Sequence, residues 1–191
     1  MTIRILLASI IVLSLAFFGC GGSKPMQSTD EGNMPEWFMN PPQDPNYMFA
    51  PSTSTSQDLQ LAIDKAATNG RGEIGRQVET KINGLQKKFD EETGVGKDAQ
   101  LLQMFTQATK TIVSTSLSGS RVIKQSTVKD GDNWRAYVLV QYPIGAASQA
   151  LKEQIQKNEQ MYTRFRASET FKELDEETKK YDEWKKNQTQ P

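Results

Sequence analysis

Apolar residues change their spacing several times along this chain, and each spacing predicts a different element. Tyr47-Met-Phe-Ala50, stopped by Pro51 and a Ser/Thr run, is typical of a short strand. From Gln57 onwards, apolar and small residues recur every three or four positions, which predicts one amphipathic helix of about eight turns. Its apolar stripe consists of Ile63, Ala67, Gly70, Ile74, Val78, Ile82, Leu85 and Phe89.

A second helix and a hairpin follow. Gly94-Val-Gly96 interrupts the stripe, and a new apolar face predicts a helix from about Asp98 to Leu117. Two extended runs then flank Asp130-Gly-Asp-Asn133, a strong hairpin signal. We expect the strand face with Tyr137 and Leu139 to be partly covered as well. The opposite face carries Trp134, Ala136, Val138, Val140 and Tyr142. Together these elements predict an α+β fold, in which two helices cover one face of a small antiparallel sheet.

Residues 144–191 predict one long amphipathic helix or two. A continuous helix would reach about 60 Å, so part of it would project or pack on another chain. After Phe165 the register slips, and Thr170 with Glu173 would form a capping box for a separate helix. Beyond Phe165, a solvated helix held by pairs such as Glu176 with Lys180 is an equal alternative. The heptad-like face consists of Ala147, Leu151, Ile155, Asn158, Tyr162 and Phe165.

Residues 1–19 have the pattern of an export signal. Arg4 precedes an apolar run that is shorter than the roughly 20 residues needed to span a bilayer. The run stops at Cys20, which is the single cysteine of the chain and excludes an intramolecular disulfide. The signal resembles that of bacterial lipoproteins, which implies that Cys20 is acylated and becomes the first mature residue. Phe17 and Phe18 depart from the usual lipobox, and an ordinary secretory signal is the alternative.

Residues 20–45 are rich in Gly, Pro, Ser, Asn and Asp and predict a flexible tether. An apolar island within the tether contains Trp37 and Phe38. We expect the end of the tether to pack on the domain, residues 46–143. An exposed aromatic contact site for a partner is the alternative.

Gly70, Gly72 and Gly75 form a literal G-x-G-x-x-G, which raises the possibility of a dinucleotide site. Such a site needs the glycines before a helix begins, whereas Gly70 falls on the buried stripe of a helix already three turns long. We interpret the match as accidental and expect the glycines to permit close packing. A kink or a division of the helix at these glycines stays open.

Composition argues against several kinds of chemistry. The chain has no histidine, and its one thiol is the predicted acylation site, so the commonest general base and most transition-metal ligands are missing. Asp130 and Asp132 suggest a calcium loop, but the other ligands are missing and turn chemistry explains them. Without Arg4, 22 basic residues face 23 acidic ones, so no global field favours nucleic acid. We predict no enzyme activity, no cofactor and no metal.

Three stretches resemble the LPP-twenty-like family of bacterial envelope lipoproteins over about residues 34–143. They are Pro35-Glu-Trp-Phe-Met-Asn-Pro-Pro42, the Ala-rich segment from Ser52 to Ala67, and Trp134-Arg-Ala-Tyr-Val-Leu-Val-Gln-Tyr142. The resemblance implies an α+β domain at the outer membrane, and some relatives form rings around envelope machines. Gly70, Gly72 and Gly75 depart from the family pattern, in which alanines are usual. The family has no established catalytic residues to carry over.

These observations predict a non-catalytic, lipid-anchored outer-membrane protein that faces the periplasm and serves as a structural or interaction component, self-associating or bound to other envelope proteins. Gly21 replaces the Asp that marks inner-membrane retention in many bacteria, which favours the outer membrane. The competing hypothesis is a small-ligand or lipid carrier with a groove lined by Trp37, Phe38 and Trp134. The candidate contact residues are Trp37, Phe38, Trp134, Leu151, Ile155, Tyr162 and Phe165.

Overall fold

The computed structural model describes residues 34–94 and 98–189. The predicted signal peptide, Cys20 and most of the predicted tether lie outside these residues. Within them, the chain forms six helices and one three-stranded antiparallel sheet, so the predicted α+β class is confirmed. In chain order the elements are α1 (Glu36–Met39), β1 (Tyr47–Ser56), α2 (Leu59–Thr93), α3 (Ala99–Gly119), β2 (Arg121–Asp130), β3 (Asn133–Pro143), α4 (Ile144–Lys157), α5 (Glu159–Phe165) and α6 (Glu169–Thr189).

The sheet has the order β1-β3-β2, with the predicted hairpin strand β3 at its centre. In β1, Tyr47 pairs with Pro143 and Ser56 pairs with Trp134. The β2–β3 hairpin closes through Gly131, whose φ of 59° suits glycine in a tight turn. Arg135 donates from Nη2 to an Asp130 carboxylate oxygen at 2.5 Å. Asp130 therefore forms an ion pair across the turn.

Helix α2 packs directly on β1 and β3 as one continuous element. It begins after Asp58, whose carboxylate accepts the backbone N–H of Leu61 at 2.7 Å. It ends at Gly94, which has the left-handed φ of 68° that is common just beyond a helix. The glycine motif lies inside this helix, so the structure supports the interpretation that the motif is accidental. The glycines do not divide the helix, which runs without a break from Leu59 to Thr93.

Two glycines of α2 allow its neighbours to approach closely, as predicted. A Cβ atom on Gly70 would lie 2.5 Å from Cγ2 of Val140 in β3. A Cβ atom on Gly75 would lie 3.0 Å from Cδ2 of Leu117 in α3. Helix α3 thus packs on α2, and α2 makes the most extensive helical contact with the sheet.

The C-terminal region forms three helices that fold back on the domain, where the sequence predicts one or two. Asn158 ends α4, and its side chain accepts the backbone N–H of Met161 at the start of α5. The heptad interpretation, which placed Asn158 inside a helix, is wrong because the Asn amide acts as an N-cap. Helix α6 then returns along α4 and α2. The C-terminal region therefore contains a long helix, Glu169–Thr189, which is shorter than the continuous helix considered from the sequence.

The predicted capping box at α6 is also wrong. Ser168 caps the helix, because its hydroxyl accepts the backbone N–H of Phe171 at 3.1 Å. Thr170 instead donates its backbone N–H at 3.1 Å, and its hydroxyl, to the Glu92 carboxylate of α2. A carboxylate from another helix therefore neutralises the N-terminal turn of α6.

Most of the predicted heptad face is buried inside this chain. Leu151 and Ile155 are 0% exposed and Phe165 is 2% exposed. The Phe165 ring lies 4.5 Å from that of Phe89, centroid to centroid, and 6.2 Å from that of Phe105, which joins α5 to α2 and α3. The prediction that Leu151, Ile155 and Phe165 contact another molecule is wrong for this fold, because these side chains build its own core. Tyr162 remains on the surface at 37% exposure.

Candidate functional site

The predicted aromatic residues do not line one groove. Phe38 of α1 packs on the outer face of the sheet, where its ring centroid lies 5.0 Å from that of Tyr137. Trp37 packs edge-on against Phe38 at 6.4 Å. Trp134 packs against the core on the face that the helices cover. The proposed groove of Trp37, Phe38 and Trp134 is wrong, because side chains alternate along β3 and these residues lie on opposite faces of the sheet.

The outer face is covered, as the sequence predicts. Tyr137 is 6% exposed and Leu139 is 0% exposed, although both lie on the face of β3 opposite to α2. The α1 segment therefore packs on the domain, which confirms the expectation for the end of the tether. Met39 beside it is 62% exposed.

An apolar groove lies elsewhere, where the end of the sheet meets α3 and α6. Its cavity volume is about 500 Å³, within the range of small-molecule sites. We call it the aromatic groove, because four of its lining residues are aromatic. The lining consists of the aromatic Tyr47, Tyr142, Tyr181 and Trp184, the small or aliphatic Gly119, Ile123, Pro143 and Ala146, and the polar Thr115, Arg121 and Gln141.

Contacts between aromatic rings hold one wall of the groove. Tyr181 and Trp184 are one turn apart on α6 and stack at 5.6 Å with an interplanar angle of 18°. Tyr47, at the start of β1, meets the Trp184 ring edge-to-face at 5.3 Å. Such pairs add to the free energy gained by burial and restrict the rotamers of the rings. The wall is therefore held by contacts among its own aromatic rings.

Glycines let two backbones approach the other rings. A Cβ atom on Gly119 would lie 3.3 Å from Cε2 of Tyr142, so the end of α3 sits against that ring. Gly145, at the start of α4, lies directly under Tyr181. Ile123 reaches the groove from a β-bulge, since the register of β2 shifts between Val122 and Lys124.

Tyr142 and Tyr181 stay neutral over the physiological pH range, because the pKa of each hydroxyl is raised above its ordinary value. Burial raises the pKa of the Tyr142 hydroxyl, and the neighbouring Tyr181 raises it further. Burial is also the main cause that raises the pKa of Tyr181, against the opposing charge of Lys185. Lys185 lies 4.6 Å above the Tyr181 ring as a cation–π partner. The groove thus offers apolar ring faces and, at Tyr142 and Tyr181, neutral hydroxyls.

Sequence reasoning missed this groove for a physical reason. Tyr181 and Trp184 are visible as a pair on one helical face, and Tyr142 is visible on a predicted strand. Nothing in the local pattern brings α6 back to Tyr47, because that contact joins the first strand to the last helix. The antiparallel return of α6 along α4 creates the wall.

Other chemistry is limited in the described part of the chain. Within residues 34–94 and 98–189, no three His, Cys, Asp or Glu residues are grouped so that they could hold a metal ion. In the same ranges, no helix combines the length and the apolar character that a membrane crossing requires.

Comparison with known proteins adds no relative. No family model matches this sequence, and no curated protein matches it. The resemblance to the LPP-twenty-like family therefore stays a prediction.

Proposed function

We propose that this chain is an exported, lipid-anchored protein of the bacterial envelope that works by binding an apolar small molecule or lipid in the aromatic groove, without catalysis. The observation that supports this proposal is the groove itself, with a volume of about 500 Å³ and four aromatic lining residues. Ligand sites are commonly concave, mostly apolar and preformed, with a few polar groups that fix orientation. Arg121, Thr115 and Gln141 provide those polar groups here.

The N-terminal sequence supports the location. An apolar leader that ends at Cys20 fits acylation of the cysteine, and Gly21 fits release to the outer membrane. We propose that the domain faces the periplasm on a tether that begins at Cys20. An anchored binding protein of this kind would hold its ligand close to the bilayer.

A second candidate function is that of a structural or protein-interaction component, self-associating or bound to other envelope proteins. Burial of Leu151, Ile155 and Phe165 removes the contact face predicted for it. The observation that favours this candidate is the α1 surface, where Met39 is 62% exposed beside the half-exposed Trp37. Exposed apolar residues near an aromatic ring are common in interaction sites.

The test of the groove compares two substitutions to phenylalanine. Ala146→Phe places a ring inside the aromatic groove, and Ala167→Phe places the same ring on the exposed turn between α5 and α6. The acylated full-length proteins are purified from envelope membranes in mild detergent, and the molecules that co-purify are extracted and identified by mass spectrometry. We expect the wild type and Ala167→Phe to carry one class of apolar molecule and Ala146→Phe to lose it. Equal amounts in all three proteins would show that the groove is not the binding site.

Light scattering on the same preparations separates the two candidates. A monomer that carries a bound small molecule supports the groove function. A large homo-oligomer, or a fixed envelope partner, without a groove-dependent small molecule supports the interaction function. In that case, substitution of Met39 by Asp tests the α1 surface as the contact.

A further inference from the structure

The charge in the lining of the aromatic groove is positive. Among the described residues that line it, Arg121 is the one charged side chain and none is acidic. Arg121 begins β2 and pairs in register with Gln141 of β3, which also lines the groove. A guanidinium and an amide therefore stand side by side at the same end of an apolar cavity.

Arg121 contrasts with the other arginine of the hairpin. Arg135 is bound to Asp130 across the turn. Arg121 is exposed and forms no ion pair with a described residue. Asp182, which lies between Tyr181 and Trp184 in α6, pairs with Lys185 at 3.1 Å. The five N–H donors of Arg121 are therefore available to an anion that enters the groove.

We propose that the aromatic groove takes an amphipathic anion, namely a single-chain carboxylate such as a fatty acid. The hydrocarbon chain of this ligand lies against Tyr142, Tyr181 and Trp184. The ligand carboxylate pairs with the Arg121 guanidinium. This inference rests on the proposed function, that the groove binds an apolar ligand, and adds the charge and position of the head group. Arginine is the side chain whose planar fork matches the two oxygens of a carboxylate.

Trp184 provides a reporter inside the groove. The chain has three tryptophans, and Trp37→Phe with Trp134→Phe leaves Trp184 alone to fluoresce. The assay uses the full exported chain with Cys20→Ser, so that no acyl chain or detergent competes for the cavity. The probes are dodecanoate, dodecanol and dodecyltrimethylammonium, which share one chain length and carry a negative, a neutral and a positive head group.

We expect dodecanoate to bind about tenfold more tightly than dodecanol, since a hydrogen-bonded ion pair at a partly exposed site is worth about one order of magnitude. We expect dodecyltrimethylammonium to bind most weakly. Arg121→Gln should remove the advantage of dodecanoate and leave dodecanol unchanged, and Arg121→Lys should restore part of it. Arg135→Gln, the same change on the same hairpin but outside the groove, should leave all three affinities unchanged.

The outcomes separate the inference from the function on which it rests. Equal binding of dodecanoate and dodecanol, unaffected by Arg121→Gln, would overturn the anion inference and leave an apolar groove intact. Failure of all three probes to change Trp184 fluorescence, in a chain whose circular dichroism is native, would overturn the proposed function as well. Loss of dodecanol binding in Arg121→Gln would mean that the substitution distorts the groove, and Arg121→Lys then decides whether the charge matters.

Discussion

A Cβ atom built on Gly145 would lie 2.5 Å from the Cβ of Tyr181, and 2.6 Å from Cδ2 of its ring. The start of α4 and the middle of α6 are thus closer than any other residue type at position 145 would allow. This contact sets how closely α6 packs against the start of α4. It therefore also positions Tyr181 and Trp184 as the wall of the aromatic groove.

Gly145→Ala is expected to displace Tyr181. Overpacking of this kind costs about 1–3 kcal/mol of stability. The added methyl group would press on the Cβ of Tyr181 as well as on its ring, so the backbone of α6 must move with the side chain. We expect a lower urea midpoint and an altered Trp184 emission. The same substitution at Gly84, where an added methyl group would meet no neighbour within 4 Å, serves as the control. Unchanged stability and emission in Gly145→Ala would show that the α4–α6 contact has room for a methyl group.

Gly70→Ala tests the packing of α2 on the sheet. The new methyl group would meet Val140 Cγ2 at 2.5 Å and Ser52 Oγ at 2.9 Å. The Ser52 hydroxyl already donates to the Ala66 carbonyl at 2.6 Å, so it cannot move freely. We expect a loss of about 1–3 kcal/mol in the free energy of unfolding.

Gly84→Ala is the matched substitution for Gly70→Ala as well, in the same helix but with open space around it. Helix propensity alone should then raise the free energy of unfolding by about 1 kcal/mol. Opposite signs for the two variants, measured by urea unfolding, are the expected result. A stabilising Gly70→Ala would mean that packing on Val140 does not explain the glycine.

Much of this fold follows from the sequence where the signal is local. The stripe of α2 places Gly70 on its buried face, and Asp130 to Asn133 predict the hairpin, because period and turn chemistry act over a few residues. The prediction fails where two local patterns compete or where the partner is distant in sequence. Asn158 continues a heptad spacing, yet its side chain caps α5 by accepting the backbone N–H of Met161. Thr170 donates its backbone N–H to Glu92 of α2, a partner that the sequence around α6 does not show.

The contrast between Leu151 and Tyr162 separates core residues from contact residues. Leu151 is 0% exposed, so Leu151→Ala should cost about 2–5 kcal/mol through lost burial and a cavity. Tyr162 is 37% exposed, and Tyr162→Ala should cost less. The urea midpoint of Leu151→Ala should not depend on protein concentration, because the lost contacts lie within one chain. A concentration-dependent midpoint would indicate that Leu151 also supports an oligomer.

Ser148 carries a hydroxyl that the fold leaves unsatisfied. The residue is 0% exposed, and its Oγ has no hydrogen-bond partner in the described residues. An unpaired buried hydroxyl costs free energy that alanine avoids at nearly the same volume. We expect Ser148→Ala to raise the free energy of unfolding by about 1 kcal/mol. Ser116→Ala is the control, since Ser116 is equally buried but donates to the Val113 carbonyl at 2.7 Å and should lose stability or stay neutral.

The Glu92 carboxylate at the start of α6 should make stability depend on acid pH. Its hydrogen bonds, first from the Thr170 hydroxyl and also from the Thr170 backbone, hold its pKa below the ordinary value of 4.5. Because the folded pKa is lowered, this stabilisation is complete above pH 4.5 and is lost as pH falls through the folded pKa. Glu92→Gln should therefore lower the urea midpoint at pH 7, and the difference from wild type should shrink steadily below pH 4.5. Glu91→Gln, which removes a charge only 3.9 Å from Lys87 on an exposed face, should show no such convergence. If the urea midpoint of Glu92→Gln stays below that of the wild type at low pH, the stabilisation comes from the geometry of the side chain and not from the negative charge of the carboxylate.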